Sequence, residues 1–440
     1  MQIQLADFIR DTPEGREAEA ILRKCTHCGF CTATCPTYQV LGDDLDSPRG
    51  RIYLMKRALE GGPLSERTQL HLDRCLTCRA CETTCPSGVR YGRLLDIGRA
   101  VVEQRVPRKP FDRALRALLA STLPRTALFS FLMRLGMLFR PFLPPPLKKK
   151  IPQKVDPAGE WPAPRHARRM LVLAGCVQPA LAPSINAAAA RVLDRFGISL
   201  IEAPGAGCCG ALRFHLNYQQ EGRDDMRALI DAWWPMVERG EVEAIVATAS
   251  GCGVTIKDYA HLLAQDELYR EKAVRISALA KDLCEVLPFD AIPAGVARGK
   301  VAFQSPCTLQ HGQQIRGMVE ARLARAGFEM TPVRDGHLCC GSAGTYSLLH
   351  ADISGELRQR KLDALQEGAP DCIASANIGC LSHLQAAAGM PVRHWVELLD
   401  EALRRIGAEV SEPATPTITI SEAATKAFGK IKEMMVRRTV

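Results

Sequence analysis

Long apolar runs are missing from this 440-residue chain. Its longest stretch without a charge, Met170 to Ala190, is interrupted by Gln178, Pro179, Pro183 and Asn186. It is therefore a poor match to the ~20 mostly apolar residues that cross a bilayer, and reads instead as a buried strand, LVLAG, followed by a turn and a helix. The opening segment MQIQLADFIRDTPEGREAEA carries no apolar signal-peptide core, which predicts a protein kept in a reducing compartment. Aromatic residues make up only 5% and no nucleic-acid-binding module is recognisable, so the net charge of +9 is not read as a nucleic-acid footprint. A nucleophile–base pair is absent, and so is a flavin or nicotinamide fingerprint. Gly205-Ala206-Gly207 and Gly341-Ser342-Ala343-Gly344 flank cysteines and do not form a dinucleotide turn. What is present is a globular composition, long enough for two or three domains, and 18 cysteines. A core of this size needs no disulfides, so clustered cysteine points to metal or redox chemistry.

Cys25, Cys28, Cys31 and Cys35 form C-x2-C-x2-C-x3-C followed by Pro36, and Cys75, Cys78, Cys81 and Cys85 repeat the string before Pro86, each shifted by 50 residues. This is the ferredoxin spacing for a pair of [4Fe–4S] clusters. Three thiolates on a tight loop can hold three corners of one cubane, while the fourth points away and serves the other. The expected sets are Cys25, Cys28, Cys31 and Cys85 for the first cluster, and Cys75, Cys78, Cys81 and Cys35 for the second. Zinc takes four ligands in tetrahedral pairs, and a triple C-x2-C-x2-C is not that arrangement. His27 and His71 flank the strings and read as solvent-facing or supporting residues, since the cysteine count is complete without them. Between the strings, Ser47-Pro48-Arg49-Gly50-Arg51 predicts a turn into a helix over Ile52–Leu59, and Gly88–Glu103 reads as a closing helix. Arg49 and Arg51 are either neighbours of a cluster, raising its potential, or surface arginines at a helix start.

Residues 101–150 are short of acidic side chains: eleven Lys and Arg stand against Glu103 and Asp112, an excess equal to that of the whole chain. An apolar series, Leu128, Phe129, Phe131, Leu132, Met133, Leu135, Met137, Leu138 and Phe139, lies among them before PFLPPPLKKK ends any helix. Such a basic amphipathic segment suits an anionic membrane surface, a groove on a partner protein, or its own core.

From about residue 168 the pattern turns α/β. Strands are expected to end at Cys176, Cys252, Cys307 and Cys380, and turns carry Cys208-Cys209-Gly210 and Cys339-Cys340-Gly341, with helices at Ala187–Phe196 and Met318–Ala326. The offset is 131 residues for three of the cysteine pairs and 128 for Cys252 and Cys380, which argues for a duplicated domain. Strand ends of a parallel sheet converge on a crevice, so Cys176, Cys208, Cys209 and Cys252, and likewise Cys307, Cys339, Cys340 and Cys380, are candidate redox or metal-binding groups. Buried structural thiols are the plain alternative; Cys284 and Cys372, outside every motif, are read as such.

Two ferredoxin strings followed by two CCG repeats resemble the iron–sulfur subunits of bacterial glycolate oxidase, with relatives in glycerol-3-phosphate and lactate oxidation and in heterodisulfide reductase. SPRGRIYLMK, GCCGALRFHL, ATASGCGVTIKDY, LCCGSAGTYS and NIGCLSHL carry the likeness. It implies an α+β multidomain chain: an α-helical ferredoxin-like domain with two [4Fe–4S] clusters over 1–104, a basic connector over 105–165, duplicated α/β CCG (heterodisulfide-reductase-like) repeats over 166–296 and 297–406, and a tail over 407–440. It also implies electron transfer from a partner subunit that binds FAD and oxidises glycolate to glyoxylate. The acceptor would be a quinone or another carrier, in the cytoplasm or peripherally on the cytoplasmic face of the inner membrane. Where heterodisulfide reductase has a further cysteine in each CCG unit, this chain has Thr255 and His383. Each copy then offers one thiolate fewer, which weakens a disulfide-reducing pair of clusters and leaves room for a four-cysteine cluster in one or both copies, with His383 as a ligand or hydrogen-bond donor. The segment ITISEAATKAFGKI resembles the opening of A-type iron–sulfur carriers without their cysteines, and no function is assigned to it.

Overall fold

The computed structural model describes residues 1–144, 148 and 151–405; Lys149, Lys150 and the 407–440 tail lie outside them. The first hundred residues are helical. Proline opens several helices, where its fixed φ and missing N–H are no handicap: Pro13–Lys24, Pro36–Leu41 and Pro48–Leu59 each begin with it. Ser47 caps the last of these by accepting from the Gly50 N–H. That helix starts four residues before the expected one, because the cap and proline stand ahead of the first apolar position. The closing helix runs Tyr91–Arg105 and packs Leu94, Leu95, Val101 and Val102 against Met55, Leu59 and Leu22 in one core.

Two parallel sheets follow. The first is built from β1 (Arg168–Val172), β2 (Ile198–Glu202), β3 (Ile245–Ala247) and β4 (Ala280–Asp282), in the order β2-β1-β3-β4. The second uses β5 (Lys300–Gln304), β6 (Glu329–Thr331), β7 (Cys372–Ser375) and β8 (Val392–His394), in the order β6-β5-β7-β8. The two orders are the same, so the cysteine repeat is a repeat of topology. In both, chain direction across the sheet reverses beside the first strand of the copy, and a crevice opens there at the carboxyl ends. The strands stop short of the cysteines expected to end them. β1 ends four residues before Cys176, while Cys252 and Cys380 lie in the helices Ser250–Lys257 and Ile378–Gln385. Each short strand releases the chain early, so the cysteine lies beyond the strand's carboxyl end rather than in the sheet.

The repeats are joined by a buried histidine. His394, wholly buried at the end of β8, bonds through Nε2 to the Thr248 carbonyl of the other repeat (2.9 Å) and accepts from the Val396 N–H at Nδ1 (3.2 Å). Burial pushes its pKa down to about 4 from 6.5. The folded protein therefore holds this ring neutral while the unfolded chain takes up a proton below pH 6.5. Stability should be full above that pH and fall by about 3 kcal/mol as pH drops toward 4. Urea denaturation of wild type and His394→Gln at pH 7 and pH 5 measures this; an equal pH dependence in both would exclude His394 as the source.

The connector is two helices, not one. In Pro110–Thr122, Arg116 turns inward and pairs with Asp73 (3.0 Å) and Asp112 (3.1 Å); just ahead of this helix, Arg108 pairs with Asp73 (2.6 Å) and Glu103. Part of the basic excess is thus neutralised inside the fold. The second helix, Thr126–Leu138, buries no residue. Phe131, Leu138 and, just beyond it, Phe142 are 62%, 71% and 85% exposed, beside Arg134. Leu128, Phe129, Met133 and Met137 of the series are half-buried and Thr126 Oγ1 donates to the Gly175 carbonyl (3.3 Å), so one side of this helix rests on its own chain and the other is left exposed. Among the described residues no helix is long and apolar enough to cross a membrane.

Candidate iron–sulfur and cysteine sites

All eighteen cysteines are free thiols. The N-terminal strings fold into two recesses, and each recess draws on both strings. Cys25, Cys28, Cys31, Cys81 and Cys85 line the first. Cys35, Cys75, Cys78 and Cys81 line the second, with Arg51 and Tyr91. Local backbone accounts for the crossing. Gly29, at φ +87, turns the first loop tightly between Cys28 and Cys31. Cys35 then caps the helix Pro36–Leu41, and Cys85 ends the helix Ala80–Thr84, so each fourth thiol leaves its own loop.

The donor sets suit iron–sulfur clusters: with Cys81, which lines both recesses, counted to the second, each presents four thiols, the ligand number of a cubane. Burial pushes the Cys31 thiol up to about 11, with neighbouring Cys25 adding to it, and holds Cys78 and Cys81 well above the usual range. Without a metal these buried thiols keep their protons, so metal uptake releases them. The two recesses differ in access. Cys28 is exposed, whereas Cys35, Cys78 and Cys81 are buried.

Charge beside the second recess is organised around Asp46, which is completely buried. It accepts from Arg51 (3.2 Å) and Arg74 (2.9 Å) and faces His71 Nδ1 (3.2 Å). Arg51 also donates to the His71 carbonyl (2.6 Å) and to Thr37 Oγ1 (3.1 Å). Burial opposes its charge, but Cys75, Tyr91, Cys35 and Asp46 outweigh that and raise its pKa. Arg51 is therefore a neighbour of the second cysteine set, and Arg49, half-buried and paired with Asp44 (2.9 Å), lines the first. His71 is buried, not solvent-facing, and His27 is half-buried.

In the repeats, parallel topology brings each set of four cysteines together. Cys176 shares a hydrogen bond with Cys208, Cys208 with Cys209, and Cys209 with Cys252. The second copy reproduces that order through Cys307 and Cys339 (Sγ–Sγ 3.8 Å), Cys339 and Cys340, and Cys340 and Cys380. The copies differ in the direction of one pKa shift. Hydrogen bonds from Cys176 and Cys209 hold Cys208 well below the usual thiol range, whereas Cys307, Cys339 and Cys340 are all raised. Asp225, near Cys208, is pushed up to about 7 by burial and by that thiolate.

The CCG turn depends on its glycine. Gly210 and Gly341 sit at φ +82 and +87, and their N–H groups donate to Cys208 and Cys339 Sγ (3.4 Å each). An added Cβ would lie 2.4 Å from the Gly222 carbonyl oxygen or 2.7 Å from that of Ser354. Gly210→Ala and Gly341→Ala should each destabilise by more than ~1 kcal/mol; unchanged thermal midpoints would show that the turn relaxes freely.

His383 bonds to Ser354 (Oγ 3.3 Å, O 3.4 Å), and Thr255 Oγ1 to the Gly251 carbonyl (3.1 Å). Cys284 is fully buried, but Cys372 is only half-buried. Sequence reasoning missed Lys361, a buried ammonium near Cys340 and Cys339 that donates to the Asp335 carbonyl (2.8 Å). Its signal was available: it follows Leu357 by four residues and precedes Leu362 on the inward face of Ala351–Gln366.

Residues 21–89 match a 4Fe-4S dicluster domain, and residues 170–257 and 301–385 each match a cysteine-rich domain. The chain is 54% identical over 407 residues to the glycolate oxidase iron-sulfur subunit of Escherichia coli (strain K12), covering 92% of this chain and 100% of that one. It is 29% identical over 411 residues to the probable glycolate oxidase iron-sulfur subunit of Bacillus subtilis (strain 168), covering 84% and 90%. Lactate utilization protein A of Bacillus licheniformis aligns at 26% identity over 238 residues, 51% of this chain and 96% of that one. With two crossed four-thiol recesses, a duplicated cysteine-rich domain and an alignment that takes in the whole of a relative at that identity, the chain belongs to the family of glycolate oxidase iron–sulfur subunits.

Proposed function

We propose that this chain is the electron-transfer subunit of a glycolate:acceptor oxidoreductase. A partner subunit carrying FAD would oxidise glycolate to glyoxylate, and a quinone or another carrier would accept the electrons. The observation that carries the reading is the crossing of the two strings into two recesses of four thiols each. Cys25, Cys28, Cys31 and Cys85 would hold one [4Fe–4S] cluster, and Cys75, Cys78, Cys81 and Cys35 the other. Bound there, each cluster takes up and gives out one electron, splitting the pair that a flavin collects. The chain's own contribution is to exclude water around Cys78 and Cys81 and to set positive charge beside the second recess through Arg51. The four cysteines of each CCG repeat are the candidates for an additional cluster.

The exposed face of Phe131, Leu138 and Phe142 beside Arg134 supports attachment outside this chain. The FAD-bearing subunit or peripheral contact at the cytoplasmic face of the inner membrane would cover it. A thiol–disulfide reductase is less well supported, because Thr255 and His383 stand where that chemistry uses cysteine.

Anaerobic co-purification tests the reading. The expected result is a flavoprotein partner whose addition lets glycolate bleach the iron–sulfur absorbance of this chain. A partner active only on lactate or glycerol 3-phosphate would replace the substrate, and iron-free protein would overturn the proposal.

A further inference from the structure

The four cysteine sites are linked by a shared wall, one packed cluster and a pair of hydrogen bonds. The two N-terminal recesses share Cys81, Pro48 and Tyr91 in their walls. Beyond the second recess, Cys78 is packed in one buried apolar cluster with Cys339, Leu76, Tyr346 and Leu357, and with Cys307 at its edge. Around this contact, Tyr346 donates its hydroxyl to the Arg74 carbonyl (3.1 Å), and Thr83 Oγ1 meets His311 Nδ1 (3.0 Å). The first repeat is held to the N-terminal domain differently. Its hydrogen bonds there are polar, Arg79 to Asp258 (2.8 Å), Asn217 to Glu103 (3.1 Å) and Gln219 to the Asp96 carbonyl (3.0 Å); His215 and Leu216 share a cavity wall with Cys75, but the apolar cluster containing Cys209 and Cys252 is drawn wholly from residues 171–280. Its cysteines approach the second repeat instead. The helix Ser250–Lys257, which carries Cys252, bonds through Ser250 Oγ to Thr308 Oγ1 (2.8 Å), beside Cys307. The Gly251 N–H donates to Asn377 Oδ1 (3.2 Å), whose own amide lies 3.5 Å from Cys380 Sγ.

We propose that the four sites form one series: the Cys25 recess, the Cys75 recess, the second CCG repeat, and last the first CCG repeat. The two repeats, alike in topology, are then unlike in role. The second is the bridge and the first is the terminus. The exposed end of the series is the Cys28 loop, where Phe30 is 63% exposed, which suits docking of the electron donor. Each step moves one electron. The Cys75 site loses it and the Cys307–Cys339–Cys340–Cys380 site gains it, no bond forming or breaking, with reduced flavin on the partner as the source. This rests on the proposed electron-transfer function and on a redox centre in each repeat.

The test uses the full complex, prepared anaerobically as wild type, Cys339→Ser and Cys208→Ser. Iron content and the magnetic-resonance signal of the second ferredoxin-type centre are recorded after reduction with glycolate. In Cys339→Ser that signal should lose the broadening caused by its neighbour, and the centre of the first repeat should stay oxidised. In Cys208→Ser the same signal should be unchanged. Ser250→Ala with Thr308→Val guards against misfolding: no thiol is touched, iron should be retained, and only passage between the repeats should slow. Equal effects of the two cysteine variants, or normal reduction of the first repeat in Cys339→Ser, would overturn the order. Iron for two cubanes only, with both ferredoxin-type signals still appearing on glycolate addition, would overturn the series and leave the proposed function standing.

Discussion

Replacing Cys85 with serine should strip iron from the recess of Cys25, Cys28 and Cys31, far upstream, and spare the recess of its own string. The reason is geometric. Cys85 ends the helix Ala80–Thr84 and opens into the recess lined by the first string, while Cys35 opens into the recess of the second. A three-thiolate site is left short of one ligand. About half of the iron held by residues 21–89 should go, and the reciprocal variant Cys35→Ser should remove the other half. Iron and acid-labile sulfide, with resonance spectra of the surviving centre, read the result. Loss from the Cys75 recess in Cys85→Ser would mean that each string serves its own cluster.

Asp46→Asn should destabilise the N-terminal domain by about 3–5 kcal/mol, since breaking a buried pair leaves its partners uncompensated. Arg51 is 1% exposed and has no solvent to turn to, and Arg74 and His71 lose the same acceptor. Denaturation at pH 7 measures the change; a shift below ~1 kcal/mol would show that the network is worth no more than a surface pair. Arg51→Gln separates structure from tuning. Positive charge beside Cys35 and Cys75 favours the state with the extra electron, so its removal should lower the potential of the second centre in a redox titration while the first centre, lined by the other thiols, moves less.

The connector shows how composition can mislead about location. Residues 101–150 hold the chain's whole basic excess, yet Arg108 and Arg116 spend their charge on Asp73 within the fold. Asp73 precedes them by more than thirty residues, so no window over the connector contains it. What is left exposed combines the apolar side of the helix Thr126–Leu138 with Arg105, Arg113, Arg125 and Arg134.

Spacing alone was enough for the local chemistry. Three thiols at C-x2-C-x2-C must share a loop, a following proline must redirect the chain, and glycine after two adjacent cysteines must take the kink that Gly210 and Gly341 adopt. Duplication was legible as well, because a constant offset survives in any reading of the chain. Only the tertiary structure decided which thiols meet and what surrounds them. Strand order in a parallel sheet brings Cys176 to Cys208 and Cys307 to Cys339. Burial set Arg51 and Lys361 beside thiols and His71 against Asp46. Packing of Cys78 on Cys339 gave two repeats of one topology different surroundings. Short-range geometry is written in the spacing of the residues; contacts between distant segments depend on how whole elements stack, and the same local motif accepts more than one neighbour.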